Sequence, residues 1–231
     1  MRLLIHVEGE TEETFVNELI RPHLIPKGFE RVDARIIGNA RLRARRGGIR
    51  SWQSVRLDIV NHLRQDDGAI ATTMVDYYAL PSDGDDAWPG RSQASRSTFA
   101  NKATVVETAI EQDLTNQMGQ SFNRRRFVPF VIMHEFEGLL FSDCHALCRT
   151  LQIPNLLTNF QTIRNSFSTP EEINDSPITA PSKRIKALIS HYEKPLYGNI
   201  AALEIGLEKI REQCPHFNSW VARLESLALG R

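Results

Sequence analysis

Directly after the apolar run at residues 3–7, the chain reads Glu8-Gly9-Glu10-Thr11-Glu12-Glu13. Like charges this close repel unless water or a cation stabilises them. The pattern recurs twice. Asp76 closes the run "AIATTMVD" and is followed by Asp83, and Glu135 and Glu137 follow the run "FVPFVIMH". These groups are distant in sequence, but carboxyl ends of parallel strands share one rim, where sites form in open α/β sheets. A rim carrying Glu8, Glu12, Asp76, Asp83, Glu135 and Glu137 calls for a hard cation. Mg²⁺ or Mn²⁺ takes oxygen ligands, keeps several waters and suits phosphate chemistry. Local explanations compete residue by residue. Glu10 and Glu13 belong to the first turn of a helix capped by Thr11, where negative charge is favoured anyway, and Glu12 can serve both purposes. Asp76 alone could be a turn residue, and Glu135 and Glu137 the polar start of a helix. The coincidence across three strand ends is what carries the metal reading.

The elements that must position these groups follow from periodicity. Residues 3–7 read as a buried strand, and 12–25 as a helix with Phe15, Val16, Leu19, Ile20 and Leu24 on one face. A second strand is predicted near 32–38, a helix over 52–64, a third strand in 69–80, and a helix over 101–118. A fourth strand is predicted in "RFVPFVIMHEFEGLLF", with Pro129 interrupting its pairing. Strand–helix alternation of this kind predicts an α/β domain with a mostly parallel four-stranded sheet flanked by helices. From about residue 144 the pattern becomes helical and proline-punctuated. The expected organisation is an α/β domain over 1–143 and a helical extension over 144–231 packed on it.

Composition excludes several classes. Lys plus Arg is 28 and Asp plus Glu is 28, so no global field attracts nucleic acid, and any such binding must come from local patches. The stretch after Arg2 is too short and too polar for an export signal, and no run approaches the roughly 20 apolar residues of a membrane helix. Three cysteines, an odd number, fit a reducing cytoplasm, and the Cys144/Cys148 spacing fits helix packing better than a zinc site. His6 and His134 lie in strands with no nucleophile partner, and Tyr77 and Tyr78 read as core aromatics.

Together "VEGETEETF", "VDYYALPSD", "HEFEGLLFSD" and "PSKRI" resemble a bacterial family catalogued as domain of unknown function 4276. That family is thought to share the Toprim-like, Rossmann-like fold of topoisomerases, primases and overcoming-lysogenization-defect nucleases. The resemblance implies Glu8 as general acid or base, Glu12 as a second acidic residue, and Asp76 as a metal ligand. The usual Asp-x-Asp is absent because position 78 is Tyr78, so Asp83 or a strand-four glutamate would supply the missing ligand. The family resemblance also favours a role at the site for Lys183 and Arg184.

Positive charge for phosphate is concentrated in "NARLRARRGGIR". Arg41, Arg43, Arg45, Arg46 and Arg50 lie there beside two glycines, and arginine offers a bidentate fork for phosphate oxygens. No Gly-x-x-x-x-Gly-Lys motif exists, so the chain is not itself a P-loop ATPase. The leading expectation is a cytoplasmic, Mg²⁺- or Mn²⁺-dependent phosphodiesterase, a Toprim-type nuclease acting on nucleic acid, DNA in preference to RNA. The resemblance adds a bacterial defence or DNA-metabolism setting and a separately encoded ATPase partner. The alternative is a non-catalytic metal- or nucleotide-binding subunit of an ATPase-containing complex. A phosphoacceptor domain using Asp76 is a third.

Overall fold

The computed structural model describes residues 1–37, 48–173 and 179–230. Its strands are β1 (Arg2–Val7), β2 (Arg31–Ile36), β3 (Ala69–Asp76), β4 (Phe127–Val128) and β5 (Val131–Ile132). They form one sheet in the order β2-β1-β3-β4, with β5 also pairing β3, and every pairing is parallel. Parallel sheets are covered on both faces, so their strands read as continuous apolar runs. Central β3 is buried along its whole length.

Alternation along the strands divides the core in two. Leu3, Ile5, Val7, Ile70 and Met74 face one apolar cluster, while Ala71, Val75, Phe127 and Val131 face the other. Helices α1 (Glu10–Phe15) and α2 (Arg21–Leu24) cover the first face, joined by a wide turn at Val16–Ile20. On the second face lie α3 (Trp52–Gln65), α4 (Arg91–Ala94) and α5 (Phe99–Met118). The later helices are α6 (Cys144–Thr150), α7 (Leu157–Asn165), α8 (Pro181–Leu188), α9 (Asn199–Ile205), α10 (Leu207–Gln213) and α11 (Pro215–Leu229). Phe160, Ile185, Phe217, Trp220 and Leu224 from this stretch enter the same cluster as Leu3, Ile5 and Val7, so the helical extension shares the core of the sheet's first face. Cys144, Cys148 and Cys214 are buried within it.

The break at Pro129 has a local solution. Proline offers no N–H to the ladder. The Thr73 hydroxyl instead accepts from the Phe130 N–H and donates to the Phe130 carbonyl, each at 2.9 Å. The neighbouring Thr72 hydroxyl donates to the Val128 carbonyl and accepts from Trp220 Nε1, whose ring stacks on Phe130 at 4.4 Å. The predicted fourth strand is therefore two short strands, and it ends at Ile132 rather than at Glu135 and Glu137. The buried segment Phe136–Ser142 forms a 3₁₀ helix instead. A short apolar run is buried in either conformation, which is why its length misleads.

His6 sits inside the fold, with Nδ1 3.3 Å from the Thr72 carbonyl and Nε2 3.1 Å from His62 Nδ1. Burial, and then the His62 and Arg35 charges, push its pKa down to about 3. The ring is neutral, donates from Nδ1 to Thr72 and accepts at Nε2 from His62.

α11 is fastened by a buried carboxylate. Glu171 accepts from the N–H groups of His216 and Phe217 at 3.0 and 2.9 Å, which satisfies two orphan donors of the helix's first turn. Glu171→Ala strands both amides, and we expect it to lower the unfolding free energy by about 1–3 kcal/mol in urea titrations. An unchanged midpoint would show that the first turn of α11 does not depend on this cap.

Candidate active site

Parallel strands β1 and β3 end side by side, which brings their carboxylates together. Glu8 follows Val7 directly, Asp76 is the last residue of β3, and Glu137 lies in the 3₁₀ helix after β5. Glu12 arrives from the first turn of α1. The N-cap there is Gly9, not the expected Thr11, and Glu12 Oε2 reaches back to accept from the Gly9 N–H at 3.1 Å. Its other oxygen, Oε1, faces the cluster, so Glu12 serves both purposes.

At the centre of these carboxylates is a lysine that motif spacing did not indicate. Lys194 Nζ lies 2.9 Å from Asp76 Oδ2, 3.1 Å from Glu12 Oε1 and 3.6 Å from Glu137 Oε2. It begins a wide helical turn, Lys194–Gly198, and its ammonium lies 5.6 Å from the Phe136 ring centre. Gly198 allows the close approach. A Cβ there would come within 2.9 Å of the Tyr192 hydroxyl. Asp76 is doubly used, because its Oδ1 accepts from the Phe136 N–H at 2.8 Å.

The charge count is uneven: four carboxylates share one ammonium. Burial raises the pKa of Asp76 well above the ordinary carboxylate range; the Lys194 charge opposes this, and Glu12, Glu8 and Glu137 add to it. Glu8 and Glu137 are also raised, chiefly by burial against the same Lys194 attraction. Burial works against the charge on Lys194, but Asp76, Glu137 and Glu12 outweigh it and hold the ammonium protonated. Such a site is short of positive charge, so it retains protons or takes up a further cation.

The donor set fits a hard divalent ion: it is all oxygen, over-charged, and placed at the carboxyl ends of parallel strands. Glu8 Oε2 and Glu12 Oε1 are buried without a hydrogen-bond partner, the latter having only the Lys194 ion pair. Among the described residues no three His, Cys, Asp or Glu stand at metal-ligand spacing.

The other expected site residues are distributed differently. Glu135 is half-buried, and its Oε2 accepts from the Ser182 N–H at 3.0 Å in the first turn of α8, so it anchors that helix. Asp83 is exposed, with its carboxylate near the Ser82 hydroxyl at 3.3 Å, and it does not join the cluster. Lys183 is exposed on α8, and the lysine among the carboxylates is Lys194 instead. Arg184 donates to the Thr179 carbonyl and stacks over Phe167, a packing role. Tyr78, where Asp-x-Asp would place its second carboxylate, stacks on His134 at 5.0 Å. Tyr77 is buried under Arg91, whose guanidinium lies 4.0 Å from the ring centre.

Arg41, Arg43, Arg45 and Arg46 lie outside the described residues. The flanking backbone is tied to the site: Ile37 N–H donates to the Val7 carbonyl and Gly48 N–H to the Glu8 carbonyl. Arg50 is exposed, and its carbonyl accepts from Trp88 Nε1 at 2.8 Å.

Lys194 escaped notice because it is 118 positions from Asp76 in a segment whose prolines read as punctuation of a helical extension. The available signal was local: "YEKPLYG" sets a lysine and a proline between two tyrosines and follows them with a glycine.

A family model described as domain of unknown function DUF4276 matches residues 7–225. No curated protein and no solved structure matches the chain. No helix among the described residues is long and apolar enough to cross a membrane.

Proposed function

We infer that this chain, which belongs to the family described as domain of unknown function DUF4276, is a metal-dependent phosphodiesterase of Toprim-like fold acting on nucleic acid. The observation that carries the reading is the convergence of Glu8, Glu12, Asp76 and Glu137 around a single ammonium at the strand ends. Asp76, Glu137 and Glu12 would hold a Mg²⁺ or Mn²⁺ ion, with Glu8 beside them. When bound, such an ion supplies charge neutralisation at phosphoryl oxygens and a more acidic water.

The chain's own residues do the rest. Burial raises the Glu8 pKa, which supports its role as the acid that would give a proton to the leaving oxygen as water adds to phosphorus and the P–O bond breaks. Its Oε2, buried without a partner, is free to do so. Ile37 and Gly48, the described residues on either side of the arginine-rich segment, donate to the Val7 and Glu8 carbonyls, which supports a role for those arginines in steadying a phosphate backbone. DNA is the preferred substrate. A cytoplasmic setting in bacterial defence, with a separately encoded ATPase supplying the hydrolysis this chain has no motif for, completes the proposal.

A second reading, a non-catalytic subunit of such a complex, is favoured by one feature. Tyr78 is committed to stacking on His134 where a second ligand would be expected. Incubating the pure protein with plasmid DNA and structured RNA in Mn²⁺ separates the two. The catalytic reading predicts cleavage that chelation abolishes; no product from either substrate would overturn it in favour of the subunit.

A further inference from the structure

Lys194 sits where a second cation could not share its seat. Its ammonium is 2.9 Å from Asp76 Oδ2. A Mg²⁺ or Mn²⁺ ion binds a carboxylate oxygen at about 2.1 Å, so an ion on that oxygen would stand within about 5 Å of the ammonium. Two cations that close repel strongly in a buried site, and they compete for the same few oxygens. We propose that Lys194 is a built-in counter-cation, and that its ammonium and a divalent ion occupy the acidic pocket alternately. The inference rests on the metal reading above and deepens it by naming what the ion must displace.

Three features of the pocket fit an exchangeable occupant. First, one ammonium does not complete the hydrogen bonding. Glu8 Oε2 and the Tyr192 hydroxyl are buried without hydrogen-bond partners, and Glu12 Oε1 has only its ion pair to Lys194 at 3.1 Å. A hydrated ion brings water donors and acceptors, whereas an ammonium only donates. Second, the exit is open. The Lys194 side chain retains 28% of its exposure, whereas the Glu12 and Glu137 side chains retain 3%. Glu12, Asp76 and Glu137 are buried, while Glu8 and Lys194 are half-buried, so the lysine lies on the side of the cluster nearest water. Third, Lys194 stands between exposed Glu193 and exposed Pro195 and Leu196, so the backbone that carries it lies at the surface. Rotation of its four side-chain bonds suffices.

The exchange implies that metal affinity is lowered by the fraction of time the lysine holds the pocket. Measured by Mn²⁺ titration with electron paramagnetic resonance detection of free ion, Lys194→Met is expected to bind about tenfold more tightly than the unaltered protein, or more. Equal or weaker binding by the variant overturns the exchange and leaves the metal reading standing. Binding by neither protein overturns both. Because the variant removes the only ammonium that the described residues place in the pocket, and could fail to fold, the unaltered protein gives an independent readout. Acylation of Lys194 by an amine-reactive ester, followed by mass spectrometry, is expected to accelerate as Mn²⁺ is added. Acylation of exposed Lys186 should stay constant as the internal reference. No change at Lys194 while Mn²⁺ binds would overturn the proposal.

Discussion

Asp76→Asn is expected to lower metal-dependent strand cleavage by at least about a hundredfold while leaving the protein as stable as before. The choice of asparagine follows from the geometry. Asp76 Oδ1 accepts from the Phe136 N–H, and Oδ2 meets Lys194. Alanine would remove a ligand and also strand a buried amide, a loss of about 1–3 kcal/mol that confuses a catalytic defect with a folding one. Asparagine keeps an acceptor for Phe136 and removes the charge; its amide nitrogen replaces Oδ2 beside Lys194, whose ammonium retains Glu12 and Glu137. Burial already raises the Asp76 pKa, so its charge costs the folded state something, and removing it should leave the urea midpoint unchanged or higher. Loss of cleavage with an intact midpoint is the result expected of a functional carboxylate. Unchanged cleavage would remove Asp76 from the chemistry.

Lys194→Met should act in the opposite sense. It leaves the buried carboxylates without their ammonium, and breaking a buried ion cluster by deleting one partner costs about 3 kcal/mol or more. The partial exposure of Lys194 holds the figure to the low end of that range. The loss should depend on pH with a definite sign. Glu8, Asp76 and Glu137 have folded pKa values raised above their unfolded ones. The folded state then binds more protons than the unfolded state, so stability falls as pH rises through the raised values. Without Lys194 the shifts grow. The variant should approach the parent's stability at or below about pH 4, the ordinary carboxylate range, and fall progressively behind it as the pH rises above that, as read by urea titration at about pH 4 and at about pH 7. Mn²⁺ should restore the variant by mass action, about 2.7 kcal/mol at a hundredfold excess over Kd. A gap that is constant with pH would mean that Lys194 stabilises by packing rather than by charge.

The parts of this site legible in sequence are those whose chemistry and position are both local. Glu8 and Asp76 directly follow buried runs, so period-two and continuous apolar patterns place them at strand ends without knowledge of the fold. Glu12 was legible as a helix-start residue, and its second role follows from that location. Glu137 was recognisable, but its setting was not. The apolar run from Phe127 to Phe141 reads as one strand, while the chain makes two short strands and a buried 3₁₀ helix, conformations that bury the same residues. Asp83 lies only seven positions after Asp76, yet the intervening loop carries it into solvent, which neither composition nor periodicity encodes. Lys194 was the least legible. Its role depends on a contact between a proline-bound turn late in the chain and strands formed early. Charge balance could have demanded such a cation, since the carboxylates needed one; it could not say which lysine.

The most direct test is a crystal of the protein soaked in Mn²⁺, with anomalous scattering collected at the manganese edge. The account predicts a peak bounded by Glu8, Glu12, Asp76 and Glu137, with the Lys194 ammonium withdrawn from those oxygens. Fully ordered carboxylates still clasping Lys194, with no manganese among them at saturating ion, would contradict it.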